Sequence, residues 1–221
     1  MVSNKEKISA VNAALSLPRM TTYIAAAGVS QEDDLSALEL YAWNAAVSGA
    51  LLAPLHICEV VMRNAVADAL EAVYGNQWPW SLTFERSLPA PPVGYNPRKD
   101  LQSARRVATT TGMVIPELKL VFWQKMFTSR YDARLWDVHL KRVLPNLDVA
   151  QSVASLRQVV YFDLEQLRKL RNRIAHHEPI FSRNLNDDLT KVVELVRFRC
   201  SITAQWMMEN HQANSVIAAK P

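Results

Sequence analysis

The run Leu170-Arg171-Asn172-Arg173-Ile174-Ala175-His176-His177-Glu178-Pro179 concentrates most of the reactive side chains of this sequence. Arginine is a planar, permanently charged donor that suits phosphate oxygens on which negative charge develops. Histidine titrates near neutral pH, so His176 can remove or deliver a proton during a reaction. Asn172 lies four residues before His176 and therefore on the same helix face, where its amide can orient the imidazole or a substrate. His177 points about 100° away from His176. It reads as a cation favoured by the C-terminal end of the helix dipole, with a second proton carrier as the alternative. Arg168, Lys169 and Arg173 complete a basic knot suited to steering phosphates.

Helical phase says where these groups should stand. Leu156, Val160, Leu164, Leu167 and Ile174 form one apolar stripe, and Arg171 falls inside it. A buried-face arginine requires an anionic or hydrogen-bonding partner, because an unpaired buried charge is costly. The preceding apolar text offers one. Leu55, Met62, Val66, Ala69, Leu70 and Val73 make a second stripe, and Glu59 shares its phase with Val66 and Leu70. Two pairings are open: Glu59 with Arg171, or Glu59 with Arg63 at i,i+4 on its own helix. Arg134 and His139 repeat the Arg–His spacing, but Leu135 follows that arginine on a short amphipathic stretch. The Arg171 copy has a polar neighbour, tandem histidines and a proline stop.

The elements expected to hold these groups are helical throughout. Asp33-Asp34 reads as an N-cap for a helix over about 35–53, which Pro54 kinks or restarts, and a second helix runs from Leu55 to Tyr74 with Gly75 as its C-cap. Residues 76–96 are rich in Pro and Trp and read as a long ordered loop or insertion, either functional or facing a partner. Helices are then expected at about 97–110, 116–128, 132–144, 149–176 and 185–210. Trp78, Trp80, Trp206, Met207 and Met208 are expected in the core in preference to an interface. No stretch alternates apolar and polar residues long enough for a strand. The fold class is therefore all-α, a single helical-bundle domain over 1–221 with an elaborated middle and a C-terminal helix pair at 149–210.

Composition narrows the chemistry. In 221 residues, 49% are hydrophobic and 21% charged, within the range of soluble globular chains. Five glycines and the absence of a Walker or G-x-G-x-x-G pattern argue against a nucleotide-loop enzyme. Cys58 and Cys200 stand apart in apolar text, which predicts neither a disulfide scaffold nor a zinc site. His176-His177-Glu178 lacks the i,i+4 histidine pair of a helical metal hydrolase. No cofactor and no metal are expected. Met1–Ala10 carries no signal-peptide core, and Trp43–Ile57 is too short and too interrupted for a bilayer, so that stretch is expected as a buried helix of a cytoplasmic protein with no membrane partner. Residues 1–97 carry five Lys/Arg against nine Asp/Glu, and residues 98–221 carry twenty against twelve. A basic half invites a polyanion such as nucleic acid.

The Arg171–His176 stretch resembles the R-x4–6-H motif of the HEPN superfamily, and LRNRIAHHEPIF together with EVVMRNAV at Glu59–Val66 is similar to its Abi-like, abortive-infection branch. The resemblance implies a HEPN-like bundle and a metal-independent endoribonuclease. Such an enzyme uses the RNA 2′-hydroxyl as nucleophile and leaves a 2′,3′-cyclic phosphate and a 5′-hydroxyl. It assigns catalysis to Arg171, Asn172 and His176, with support from His177, Glu59 and Arg63, and RNA contact to Arg168, Lys169 and Arg173. It also implies a homodimer with a composite groove, and a role in antiviral defence or as a toxin restrained by a protein or RNA antitoxin. A non-catalytic RNA-binding module and a helical interaction protein are the alternatives.

Overall fold

The computed structural model describes residues 2–29, 31 and 34–221. Among them the regular structure is helical, with no strand. Two helices beyond the expected set come first. Ser3 opens α1 (Asn4–Leu15) with a reciprocal cap: its hydroxyl accepts the Glu6 N–H at 3.2 Å, and the Glu6 carboxylate accepts the Ser3 N–H at 2.8 Å. Next, α2 (Leu17–Ala27) buries Met20 and Tyr23.

The organising element is α3 (Ser36–Tyr74), 39 residues long. Its N-cap is Leu35 instead of the expected aspartates; Asp34, one residue earlier, accepts the Ser36 N–H at 2.9 Å, and Asp33 lies outside the described residues. Pro54 neither stops nor restarts the helix. An interior proline removes one ladder hydrogen bond and costs about 3 kcal/mol. Complete burial of Val47, Leu51 and Met62 along the same face offsets it. The expectation of a buried helix is corrected here. By length and composition α3 is long and apolar enough to cross a membrane, with a mean hydropathy of 1.7 over 18 residues, yet only 33% of that window is buried within the fold. Its other face exposes Ala42, Ala45, Ala46, Gly49, Leu52, Ala53, His56 and Val60.

The start of the Trp/Pro-rich segment plugs the core, while residues 88–96 form an irregular loop. Trp78 is fully buried in a 3-10 turn (Trp78–Trp80), edge-on to Phe84 at 5.4 Å and to Trp123 at 6.3 Å. A short α4 (Leu82–Ser87) follows. Arg98, on α5 (Pro97–Val107), donates to the carbonyls of Glu85, Arg86 and Leu88 at 3.1, 3.1 and 2.8 Å and fastens the plug down. Trp78 and Phe84 fill the core, as expected for Trp78, because Trp and Phe bury large apolar areas.

The helix expected over 116–128 divides into α6 (Thr111–Glu117) and α7 (Leu120–Met126), and a π turn (Asp132–Trp136) leads into α8 (Asp137–Val143). The C-terminal pair becomes four helices: α9 (Val153–Ala175), α10 (Leu185–Arg199), α11 (Ser201–Glu209) and α12 (Ala213–Ala218). Cys200 breaks the expected 185–210 helix by adopting extended backbone at φ −158°. Met207 is buried as expected, whereas Trp206 is half exposed. α3 lies at the centre, against α2, α10 and α12 on one side and α7, α8 and α9 elsewhere.

Candidate functional site

Ser152 caps α9, its hydroxyl accepting the Ser155 N–H at 3.2 Å. Leu156, Val160, Leu164, Leu167, Leu170 and Ile174 are buried along it, as the phase predicts. The helix ends abruptly. The Glu178 N–H donates to the Arg173 carbonyl at 2.8 Å and the His177 N–H to the Ile174 carbonyl at 3.0 Å, the paired bonds of a Schellman termination. That termination requires a left-handed residue, usually glycine. Here it is His177, at φ 56°.

The turn is held from three sides. Arg19 of α2 donates to the His177 carbonyl at 2.7 Å. Arg173 donates twice to the Pro179 carbonyl, at 3.1 and 2.8 Å. Asn44, buried on α3, accepts the Ile180 N–H at 2.8 Å. These contacts fix the backbone of the turn that follows the two histidines.

A cleft of about 460 Å³ opens between α3 and the end of α9. Arg171, Ile174 and His177 form one wall, and Tyr41, Asn44 and Ser48 stand among the residues of the other. The small side chains of Ala45 and Gly49 leave the space open. Arg171 and His177 thus meet in one cleft, while His176 is exposed outside its lining, on the helix face that carries half-buried Asn172. The left-handed backbone at position 177 breaks the helical progression on which the 100° spacing rested.

Arg171 is exposed, which corrects the expectation of a buried arginine. Its phase is as read, but the apolar stripe reaches a notch instead of a neighbour. On one side is the Ala45–Gly49 cleft. On the other is a narrow crevice bordered by Leu55, Glu59, Leu120 and Leu164. Glu59 and Arg171 share that crevice, yet Glu59 is ion-paired with Arg63, and Arg171 has no hydrogen-bond or ion-pair partner among the described residues. The direct Glu59–Arg171 pair is therefore not formed.

Among the described residues Arg171 is the one cation of its knot without a partner. Arg168 donates to the side-chain oxygen of buried Gln124 at 3.0 Å, and Lys169 lies 3.5 Å from Glu165. Arg173 is committed to Pro179, with Glu178 at 3.6 Å. Phosphate contact by Arg168 or Arg173 would compete with bonds that hold the fold. In the second Arg–His pair Arg134 is exposed, and His139 Nδ1 accepts from Arg142 at 3.2 Å. Burial first, and then Arg142, lower the His139 pKa.

Among the described residues no three His, Cys, Asp or Glu side chains converge to hold a metal ion. Tyr41, Asn44 and Ser48 are the site residues that motif reading missed. Their signal is two polar residues at i,i+4 inside otherwise small, apolar text. Comparison of the chain with protein-family models, with curated proteins and with solved structures finds no match.

Proposed function

We propose that this protein is a metal-independent endoribonuclease whose reacting groups are Arg171 and His177. One observation carries the reading: a partner-free arginine and an imidazole line the same cleft. In this scheme the RNA 2′-hydroxyl attacks the adjacent phosphorus. His177 takes the hydroxyl proton, the P–O2′ bond forms and the P–O5′ bond breaks. A second imidazole protonates the departing 5′-oxygen, so the products are a 2′,3′-cyclic phosphate and a 5′-hydroxyl. Arg171 donates to the phosphate oxygens as charge builds on them. Relative to the sequence expectation the two histidines exchange roles, with His176 and Asn172 flanking the cleft.

The second imidazole comes from a second copy. The exposed face of α3 beside the cleft is charge-free from Ala42 to Val60, which suits a homodimer that brings two Arg171–His177 pairs into one groove. The resemblance to Abi-like proteins suggests antiviral defence or toxin action in the cytoplasm, with a protein or RNA antitoxin as restraint.

The test is cleavage of total cellular RNA in excess chelator by the wild type and by Arg171→Ala, His177→Ala and His176→Ala, with circular dichroism confirming each fold. Loss of about 100-fold or more in the first two, and cyclic-phosphate ends from the wild type, are expected. Equal damage from His176→Ala would return the pairing to the R-x4-H spacing. RNA bound and never cut would overturn catalysis in favour of an RNA-binding module.

A further inference from the structure

A second cavity of about 460 Å³ shares no lining residue with the Arg171–His177 cleft. It lies where the loop before α5, the start of α5, α7 and the 3-10 turn after α7 meet. Its walls are Pro89, Tyr95, Pro97, Phe122, Met126 and Tyr131. Two cations, Lys125 and Arg130, stand in the lining with Thr128 and Ser129, and no carboxylate joins them. The neighbouring cleft around Lys99 and Lys119 differs, because Asp100 and Glu117 offset its lysines.

The polar groups fall into two kinds. The Tyr95 hydroxyl is occupied, donating to Asp100 at 2.7 Å, so that ring serves as wall. Lys125 donates to the Tyr161 hydroxyl at 2.8 Å, which orients its ammonium and leaves two further donors. Arg130 is exposed and has no partner among the described residues. Tyr131 is buried as a residue, and its hydroxyl makes no hydrogen bond among the described residues. Small-molecule sites are concave and mostly apolar, with a few converging polar groups that fix orientation. Every unengaged group here is a cation or a hydroxyl. No amide or carboxylate side chain is present to read the donor edge of a nucleobase.

We propose that this cavity binds a small organic anion with a flat apolar body, an aromatic carboxylate being the simplest case. The ring lies among the prolines and aromatic walls, the carboxylate meets Arg130 and Lys125, and the Tyr131 hydroxyl donates to it. This site stands independently of the ribonuclease reading.

Naphthoate and its neutral counterpart naphthalenemethanol, titrated into the full chain by calorimetry, test the assignment. Saturable one-to-one binding of naphthoate with Kd below about 1 mM is expected. Arg130→Gln, a surface change that spares the fold, should weaken naphthoate about tenfold and leave the neutral compound unchanged. Ser129→Trp, which fills the mouth, should abolish both. No saturation by about 1 mM naphthoate overturns the site. So does binding that ignores both substitutions. Adenosine monophosphate displacing naphthoate at lower concentration overturns the ligand class.

Discussion

The side-chain oxygen of Asn44 accepts the Ile180 N–H at 2.8 Å across 136 residues of chain, and both residues are buried. This bond ties the N-terminal third of α3 to the turn that carries His177. Asn44→Ala leaves the Ile180 N–H without a partner, at a cost of about 1–3 kcal/mol. RNA cleavage should fall further than stability alone explains, because a displacement of about 1 Å can cost about 100-fold in rate. Urea unfolding and single-turnover cleavage measure the two effects separately. Wild-type cleavage by a destabilised Asn44→Ala would detach this bond from the site.

His177 supplies a cleaner separation of fold from chemistry. Holding a non-glycine residue at φ 56° costs about 1 kcal/mol. His177→Gly should therefore raise stability by at most about 0.5 kcal/mol, after the greater freedom of glycine in the unfolded chain is counted. His177→Ala should leave stability nearly unchanged. Both remove the imidazole, so both should abolish cleavage. A more stable, fully active His177→Gly protein would exclude this residue from the reaction.

The sequence makes the helical class and the stripe on α9 legible, because Leu156 through Ile174 repeat at the helical period and nothing competes with that burial. Arg171 shows where phase stops being informative. Phase names the face it shares, but whether a neighbour covers that face depends on Ala45 and Gly49, more than a hundred residues away. Pro54 misleads for a related reason: its local cost is certain, and the compensating burial is tertiary. Trp78 is legible as core from its own chemistry, although the prolines around it read as a loop. The α1 cap was readable in Ser3-Asn4-Lys5-Glu6. Nothing local announced the break at Cys200.

Glu85 holds the aromatic plug and confers a predictable acid sensitivity. Hydrogen bonds from Gln102 and then Arg105 lower its carboxyl pKa from the ordinary 4.5. Because the folded value lies below the unfolded one, the contribution is full above about pH 4.5 and is lost as pH falls through the folded value. Glu85→Gln should cost about 2 kcal/mol at pH 7 by urea unfolding, with the gap from wild type closing as acid is added. A gap independent of pH would mean that packing, not charge, ties Glu85 to α5.

Gly49 tests what approaches the open face of α3. It is an exposed helical residue, and a Cβ built on it meets nothing within 4 Å. Within one chain, Gly49→Ala is therefore free of clash and should stabilise the helix by about 0.8–1 kcal/mol. If a second copy seats against this face to complete the groove, the added methyl separates the two backbones. Dimerisation measured by sedimentation should then weaken while thermal stability of the monomer rises, and cleavage should fall in step with dimer population. Restoring activity at higher protein concentration would identify association as the affected step. A stabilised variant with unaltered association and cleavage would place the dimer contact elsewhere and leave the Ala45–Gly49 gap to the RNA alone.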